Sequence, residues 1–578
     1  MKRYLIYRAE GGTLRPHAEI AYRALTAYAT GMLIDRSNDA LRQAWHEALQ
    51  ADWDELLLVT DELLGPLGEH HLQHMLDAMA TRKVDLWSLS PLAMPGVTCP
   101  PEPSFLAVRR QALEQPSLRK RLDNGAECLT SALTAQMRQK GFVYESVLPP
   151  DAPSDFQADA LLLQPYTAVM EYDCPFIDLR CFTLPHALLL RHTMGEEPGR
   201  LLRWMQDTGY DTNPLWDWLL AGPFDLNVVE NLGLMACLPT FPPPDALPCP
   251  AGKCCLLMHL YFTELGEEAL HYARSMPPEA DVYITTPSEE KKAFFESLFA
   301  SLPNHVEVRV TMNRGRDMAG LLVGLRDVTA RYELCCFYHD KKSAFCTEPS
   351  VGRSFAYLIS ESALASPGYV QRVLSLFDEN PRLGVLCAMT PHHGDYYAVN
   401  GRFWDHNLEP AHALLSRLGI ALPVDENRAL PAPWGNVFWF RTKALTPLLE
   451  YPWRYEDFPE EPYPVDGSVA HAMERIHCLV AQSQGYYTCL AAPEHLATLG
   501  LMNFRQYTRD YITEMDSAHL LGQHMETLQQ LHKAVHRPAV RAKLRAAVAL
   551  KRILGEETYL RLKERLVPSK QHSRRKSL

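Results

Sequence analysis

The chain lacks the sequence features of several common protein classes. None of its apolar runs reaches the roughly 18 residues that a membrane-spanning helix needs, and its first residues lack the apolar stretch of a signal peptide. The 14 cysteines form no CxxC pair, and several lie inside apolar runs such as Cys254-Cys255, which favours reduced core thiols over disulfides or zinc ligands. None of the 23 histidines forms an HxxxH motif with an intervening acidic residue. We therefore expect a cytoplasmic protein.

Charge is distributed unevenly along the chain. The 578 residues hold 57 Lys and Arg against 69 Asp and Glu, a formal net charge of -12. The segment from Arg537 to Leu578 alone holds 13 Lys and Arg and three Glu, so it carries +10 and the remaining chain carries -22. A basic tail on an acidic body predicts that the tail meets an anionic surface. The negative body argues against nucleic acid as a partner.

Short, β-rich apolar runs alternate with helical segments in the second half of the chain. Four strands are predicted, at 254–260, 281–285, 306–311 and 333–338. This alternation is typical of an α/β fold with a parallel sheet. In such sheets, ligands bind beyond the carboxyl ends of the strands.

Two charged clusters follow the third and fourth predicted strands. The first comprises Asn313, Arg314, Arg316 and Asp317, and the second comprises His339, Asp340, Lys341, Lys342 and Ser343. Backbone N–H groups and arginines at a helix start suit a diphosphate, and two lysines could neutralise a leaving diphosphate. We predict that the two strands are neighbours, so that Asn313, Arg316, Asp317, Lys341 and Lys342 share one nucleotide pocket. The alternatives are a capped helix with solvated arginines and an exposed basic turn.

A metal ion is a second interpretation of these clusters. Asp340 could hold a divalent cation such as Mg²⁺ or Mn²⁺, but the two adjacent lysines make that arrangement electrostatically unfavourable.

Two further motifs lie downstream and could contact a sugar or an acceptor. Trp434 and Asn436 belong to an aromatic-rich turn, and aromatic faces stack on sugar rings, although core packing is the alternative. His471, Glu474 and Arg475 have the spacing i, i+3, i+4 and share one face of a helix that opens near Asp466. A surface salt-bridge face is the alternative for these three.

A proline-rich stretch and an internal repeat define the predicted domains. We expect domains at 1–237 and 252–504, a semi-rigid linker at 238–251 and a basic helical region at 505–578. Asp39 and Asp61 in the first half match Asp317 and Asp340 in the second. The first copy is shorter than the second, with no room for one of its strand–helix pairs, and it lacks the lysines. We therefore interpret it as a degenerate, scaffolding copy rather than a second working site.

The order of these motifs resembles the rhamnan-synthesis protein F family of bacterial polysaccharide biosynthesis. The motifs that carry the resemblance are NRGRD at 313–317, YHDKKS at 338–343, WGN at 434–436 and DGSVAHAMER at 466–475. In the first half, the segment 57–67 and Asp85-Leu86-Trp87 also fit, but Thr60-Asp61-Glu62 stands where the family usually has Asn-Asp-Ser. Position 340 is Asp where the family often has Thr.

The resemblance implies a fold and an activity. The fold would be two GT-A-like, Rossmann-type nucleotide-diphospho-sugar transferase units, the N-terminal one degenerate, followed by a C-terminal helical tail. The activity would be transfer of a sugar from a nucleotide-activated donor, such as dTDP-rhamnose, to a lipid-linked or growing glycan of a cell-surface polysaccharide. A non-catalytic glycosyltransferase-like scaffold in a polysaccharide synthesis complex is the alternative.

Two predictions complete the sequence-based interpretation. An inverting transfer needs a carboxylate to accept the acceptor's proton, and Glu461, Glu460 and Asp466 are the candidates, with Asp466 also a candidate helix N-cap. The tail combines helical apolar spacing with interspersed basic residues, so it could lie on an anionic inner-membrane surface. Packing of 540–554 on the acidic body is the alternative.

Overall fold

The computed structural model describes most of the chain as two compact units. It describes residues 1–91, 102–114, 141–148, 159–243, 249, 252–342, 348–400, 403–462 and 466–517. One unit is Met1–Leu499 and the other is Gly500–Leu578. Both large sheets lie in the first unit. Of the helices that the described ranges contain, none is both long and apolar enough to cross a membrane.

The first sheet has six strands and is mostly parallel. Its strands are β1 (Arg3–Ala9), β2 (Thr30–Asp35), β3 (Glu55–Thr60), β5 (Leu86–Ser88), β6 (Phe105–Arg109) and β7 (Tyr144–Ser146). They lie in the order β2-β1-β3-β6-β5-β7, and β6 alone runs antiparallel to its neighbours. Two short strands, β4 (Leu63–Leu64) and β8 (Ile177–Asp178), form a separate ribbon.

The second sheet has eight strands. They are β9 (Met235–Leu238), β10 (Cys254–His259), β11 (Asp281–Thr286), β12 (Val306–Val310), β13 (Leu334–His339), β14 (Leu383–Ala388), β15 (Phe438–Arg441) and β16 (Tyr487–Pro493). Their order is β12-β11-β10-β13-β15-β14-β16-β9, with β15 antiparallel. The central strands β10 and β14 are buried along their full length, as expected for a sheet covered on both faces. An α/β fold is therefore confirmed.

The α-helices of the described residues are interspersed with these strands along the chain. In the first half they are α1 (Pro16–Thr26), α2 (Asn38–Ala48), α3 (Glu69–Thr81), α4 (Ala160–Leu163), α5 (Pro165–Tyr172), α6 (His186–Leu189), α7 (Glu197–Asp207), α8 (Asn213–Ala221) and α9 (Leu226–Leu232). In the second half they are α10 (Gly266–Ala273), α11 (Glu289–Phe299), α12 (Arg316–Ala319), α13 (Arg326–Thr329), α14 (Pro349–Leu364), α15 (Pro367–Glu379), α16 (Leu408–Arg417), α17 (Thr446–Leu449), α18 (Val469–Ser483) and α19 (Glu494–Ser517).

The two sheets share a strand order. The run β2-β1-β3-β6-β5-β7 matches β11-β10-β13-β15-β14-β16 both in space and along the chain, and the second sheet adds β12 and β9 at its edges. After β3, the carboxylate of Asp61 accepts a hydrogen bond from the N–H of Glu10 (2.9 Å), and after β13 that of Asp340 accepts one from Tyr261 (2.8 Å). Each carboxylate thus holds the loop that follows the sheet's first central strand.

The repeat differs from the sequence interpretation at one position. Asp39 follows β2, which neighbours β1, whereas Asp317 follows the outer strand β12. The match of Asp39 with Asp317 is therefore wrong, because the strand that precedes Asp317 has no counterpart in the first sheet. The boundaries 1–237, 238–251, 252–504 and 505–578 stay predictions; β9, at the first boundary, is an edge strand of the second sheet.

Candidate functional site

A largely buried carboxylate lies at the centre of the candidate site. Asp317, in the first turn of α12, accepts a hydrogen bond from the side-chain amide of Asn436, with 2.8 Å between Nδ2 and Oδ2. The imidazole of His339, at the end of β13, approaches the same oxygen at 3.9 Å. Burial opposes ionisation of Asp317, but the charge of His339 and the Asn436 amide outweigh it and hold its pKa below the usual range. The structure thus brings together two predicted site residues from the charged clusters and one from the aromatic turn.

The route by which Asp317 reaches His339 differs from the prediction. Strands β12 and β13 are not neighbours, because β11 and β10 lie between them. The chain crosses that gap after β12 through α12 and the turn that follows it. Gly320 lies so close to β10 and β11 that an added Cβ would stand 2.7 Å from Nδ1 of His259 and 2.9 Å from Oγ1 of Thr285. A glycine is therefore what allows this crossing over the strand ends.

His259 is a member of the cluster that the sequence analysis missed. It is the last residue of β10, it is buried, and Oγ1 of Thr285 lies 3.0 Å from its Nδ1. Burial lowers its pKa to about 4, although the nearby Asp317 carboxylate acts in the opposite direction. A histidine at the carboxyl end of a central strand was the signal in the sequence.

The WGN turn adopts a left-handed backbone. Gly435 has φ 78° and Asn436 has φ 53°. The N–H of Gly435 donates to Oε1 of Glu474 at 2.5 Å, and its carbonyl lies 2.6 Å from Nε2 of His339. The turn therefore connects helix α18 to the end of β13, and it presents Asn436 to Asp317.

Trp434 is packed against the chain itself. The guanidinium of Arg475 lies 5.2 Å from its ring centroid, and the ring of Phe403 meets it edge-on at 5.5 Å. Arg475 in turn donates from Nε to the carbonyl of Phe403 (2.9 Å) and from Nη1 to the carbonyl of His471 (2.9 Å). Stacking of a sugar on Trp434 stays a prediction, and in this structure the ring supports the turn.

The start of helix α18 differs from the expected one. Its N-cap is Ser468, whose Oγ accepts from the N–H of His471 and lies 2.8 Å from Nδ1 of the same residue. Asp466 instead accepts a hydrogen bond from Nδ2 of Asn407 (2.7 Å). Burial opposes ionisation of Asp466, but this hydrogen bond and other contacts outweigh burial, and the net effect is a lowered pKa. The N-cap role considered for Asp466 is therefore wrong, because Gly467 and Ser468 separate it from the helix.

The residues after β13 point in different directions. The carboxylate of Asp340 accepts from the N–H groups of Tyr261 (2.8 Å) and Phe262 (2.5 Å), and burial raises its pKa to about 6. Lys341 lies 4.9 Å from the ring centroid of Phe355 and contributes to the low pKa of Asp317. Lys342 pairs with Glu264 and lies 4.5 Å from the Phe262 centroid. Ser343 lies outside the described residues.

The two arginines after β12 are held by the chain's own carboxylates. Arg314 donates to Oε1 of Glu460 (3.0 Å) and to the carbonyl of Phe458 (2.8 Å). Arg316 makes a two-pronged contact with Glu461, at 2.8 and 3.1 Å. Asn313 is exposed beside them. These predicted diphosphate ligands and predicted bases thus form ion pairs with one another.

The corresponding edge of the first sheet is closed by ion pairs. Arg36 contacts both Asp61 (3.2 Å) and Glu62 (2.9 Å), and Arg180 contacts Glu62 (3.4 Å) and Asp178 (2.6 Å). Glu62 occupies the position that Lys341 has in the second sheet, so the sign of the charge is reversed there. This edge supports the interpretation of the first copy as scaffolding.

The described residues do not provide a ready cation site. Among them, no group of three or more His, Cys, Asp or Glu side chains is placed to hold a metal ion. The carboxylates of Asp317 and Asp340 already accept hydrogen bonds from Asn436 and from the backbone of Tyr261 and Phe262. Among the described residues, these contacts argue against a resident Mg²⁺ or Mn²⁺ at Asp317 and Asp340.

Comparison with known proteins gives relatives in two strains of one bacterium and distant structural neighbours. The uncharacterized protein WxcX of Xanthomonas campestris pv. campestris, strain B100, is 26% identical over 233 residues, which is 40% of this chain and 32% of that protein. The same protein from strain ATCC 33913 matches over the same share. The matched segment thus spans about a third of the length of these relatives.

The structural neighbours are distant. A glycosyltransferase involved in glycosylation of the major capsid of PBCV-1 has 13% identity and a TM-score of 0.22, covering 31% of this chain and 94% of that chain. The glycosyltransferase GlyE of Streptococcus pneumoniae TIGR4 has 12% identity and a TM-score of 0.20, covering 59% and 87%.

The family comparison covers more than half of the chain. The family described as rhamnan synthesis protein F matches residues 123–486, a range that includes every predicted site residue from Asn313 to Arg475. The chain belongs to the rhamnan synthesis protein F family.

Proposed function

We propose that this protein is a glycosyltransferase of bacterial cell-surface polysaccharide synthesis. It would transfer a sugar from a nucleoside-diphosphate donor to a lipid-linked or growing glycan. The family description points to rhamnose as that sugar. The observation that carries the proposal is the convergence of Asp317, His339 and Asn436 at one sheet edge in a member of this family. Ligands of open α/β sheets bind at that edge.

The proposed chemistry assigns the flanking residues to donor and acceptor. Lys341, together with Arg314 and Arg316, would face the diphosphate of the donor. The acceptor hydroxyl attacks the anomeric carbon, and the bond from that carbon to the diphosphate breaks with its electron pair on oxygen. The acceptor's proton goes to a carboxylate. Glu461 and Glu460 are the candidates that lie near the two arginines.

A donor screen tests the function directly. The full chain is incubated with dTDP-, UDP-, GDP- and CMP-activated sugars, with and without Mn²⁺, and both thermal shift and nucleotide release are measured. We expect one nucleotide class to raise the melting temperature, and Asp317→Asn to abolish nucleotide release. A chain that binds none of these nucleotides and releases none contradicts the proposal.

The base is tested by three separate variants. Glu460→Gln, Glu461→Gln and Asp466→Asn are assayed singly for turnover and for donor binding. Loss of a general base lowers turnover by roughly a hundredfold or more without a matching loss of donor affinity. Full turnover in all three variants would remove these carboxylates from the mechanism.

A non-catalytic scaffold is the second candidate function. The observation that favours it is that Arg314 and Arg316 are paired with the chain's own Glu460 and Glu461. A scaffold would show no nucleotide release with any donor, and Asp317→Asn would leave its binding to partner enzymes of the complex unchanged.

A further inference from the structure

The imidazole of His339 lies between two backbone carbonyl groups. Its Nε2 is 2.6 Å from the oxygen of Gly435, and its Nδ1 is 3.1 Å from the oxygen of Asp340. A carbonyl oxygen only accepts hydrogen bonds, so each ring nitrogen must carry a hydrogen to make its contact. The doubly protonated ring, the imidazolium, is the one form that satisfies both contacts.

The surroundings of the ring supply a countercharge. The carboxylate of Asp317 lies 3.9 Å from Nε2, and only 12% of the His339 side chain is exposed. Of the other groups that face the ring, His259 is held neutral by burial, and the ring of Phe337 stacks at 6.4 Å. The side chain of Asp340 turns away to the N–H groups of Tyr261 and Phe262. One ionised carboxylate thus directly faces the ring.

The position of the Gly435 carbonyl is imposed by the fold. The N–H of Gly435 is held by Glu474 at 2.5 Å, and an added Cβ at Gly435 would stand 2.7 Å from Cδ1 of Ile359. Helix α18 therefore holds Gly435 through its N–H while His339 contacts its carbonyl. The two contacts flank one residue and leave its carbonyl pointing at the imidazole.

We propose that His339 is a fixed imidazolium whose positive charge, together with Lys341, stabilises the diphosphate that leaves during sugar transfer. This role rests on the proposed function. During transfer the bond from the anomeric carbon to the diphosphate oxygen breaks with both electrons on that oxygen, the acceptor oxygen bonds to the carbon, and its proton goes to the carboxylate base. His339 keeps both of its protons, because both are used in contacts with carbonyls, so it acts through charge alone.

The ring state is measured on the full chain. The protein is labelled with ¹⁵N-histidine, and its spectrum at neutral pH is compared with that of His339→Gln to assign the ring. We expect both ring nitrogens of His339 to carry hydrogen. A ring with one bare nitrogen overturns the proposal. If His339→Gln does not fold, His339→Lys provides the assignment.

The charge is measured with inorganic pyrophosphate as the probe, by calorimetry. His339→Gln is expected to bind pyrophosphate roughly tenfold or more weakly, and His339→Lys, which keeps a cation, to retain most of the affinity. The matched control is His305→Gln, an exposed histidine just before β12 at the other end of the strand, which should bind as the wild type does. Equal affinity in His339→Gln and His305→Gln overturns the proposal.

The two proposals fail in different ways. Pyrophosphate binding that depends on His339, without turnover of any nucleotide sugar, retains the imidazolium site and removes the transferase function. Turnover that is the same in wild type and His339→Gln retains the function and removes the inference.

Discussion

The side-chain amide of Asn436 donates a 2.8 Å hydrogen bond to the carboxylate of Asp317, a residue 119 positions earlier in the chain. This bond joins the charged cluster after β12 to the WGN turn. Because only 13% of the Asp317 side chain is exposed, water contributes little to stabilising its negative charge, and a few neighbouring groups must do so. The contact is therefore the most direct place to perturb the site.

Asn436→Asp should destabilise the protein at neutral pH. It places a second carboxylate against Asp317, and like charges in a buried pair disfavour ionisation of one of them. The folded pKa of one carboxylate then rises above its unfolded value, so the lost stability returns as the pH falls. We expect a loss of roughly 2 kcal/mol or more at pH 7.5 and less at pH 5, measured by urea unfolding.

The matched control is Asn427→Asp. Asn427 is exposed, and its amide also contacts an aspartate, Asp425, at 3.1 Å. Solvent screens that pair, so its loss should stay within about 1 kcal/mol. Equal losses in the two variants would show that Asp317 is not a desolvated charge.

Asp340 should make stability depend on pH in the weakly acidic range. Burial raises its pKa from 3.8 to about 6, against the hydrogen bonds from Phe262 and Tyr261. A group with a raised folded pKa stabilises the protein fully below its unfolded pKa, and this contribution is lost as the pH rises through 6. Asp340→Asn keeps an oxygen for both N–H groups and removes the charge.

The measurement is unfolding of wild type and Asp340→Asn at pH 5 and pH 7.5. The stability of the variant relative to wild type should rise by roughly 1 kcal/mol between these two values. Asp39→Asn, at an exposed helix start, serves as the control and should show no such change. A difference that stays constant with pH would mean that Asp340 is ionised throughout.

Gly435→Ala should destabilise the fold and reduce activity together. Its φ of 78° is costly for alanine, and its Cβ would overlap Ile359 at 2.7 Å. We expect a loss of roughly 2 to 4 kcal/mol, the sum of strain and overlap. Gly419→Ala is the matched control, because Gly419 has φ 71° and no atom within 4 Å of the added Cβ.

The control isolates the cost of the backbone conformation, which is about 1 kcal/mol. Thermal unfolding and nucleotide release are measured for both variants. If Gly435→Ala is no less stable than Gly419→Ala, the close packing of the turn against α14 is not rigid.

Local patterns predicted four strands of the second sheet. The runs that became β10, β11, β12 and β13 are β-rich, and each begins and ends within about two residues of its predicted bounds. The strand order was not predictable in the same way. The charged Glu307 and Arg309 fit an edge strand, but they do not show that β11 and β10 stand between β12 and β13, because that order is set by the path of the whole chain.

The partners of charged residues were the least predictable part of the site. Arg316 and Glu461 are 145 positions apart, and each alone fits a ligand-binding interpretation. Their pairing depends on the path of the chain, which brings the segment before Pro462 to the first residue of α12. Asp340 was predicted as a site residue from its place at the end of β13. Its carboxylate accepts hydrogen bonds from the loop after β10, and the pairing of β10 with β13 brings that loop within reach.

The basic segment from Arg537 to Leu578 is predicted to bind an anionic membrane surface. It lies outside the described residues, and its 13 Lys and Arg and its helical apolar spacing predict this binding. Each basic residue near an anionic bilayer contributes about 1 kcal/mol. A glycan built on a lipid carrier would make such peripheral contact with the inner membrane useful. We expect full-length protein to pellet with anionic vesicles at low salt, and binding to weaken as salt rises.

Two truncations separate the parts of this segment. A chain ending at His536 lacks all of it, and one ending at Val567 keeps the amphipathic part and loses only the last basic residues, Lys570, Arg574, Arg575 and Lys576. If the amphipathic part inserts into the interface, the longer truncation product still pellets and the shorter one does not. Neutral vesicles are the control, and neither truncated protein should pellet with them. Equal pelleting of full-length protein and the chain ending at His536, or no pelleting of either, contradicts the membrane prediction and favours packing of 540–554 on the acidic body.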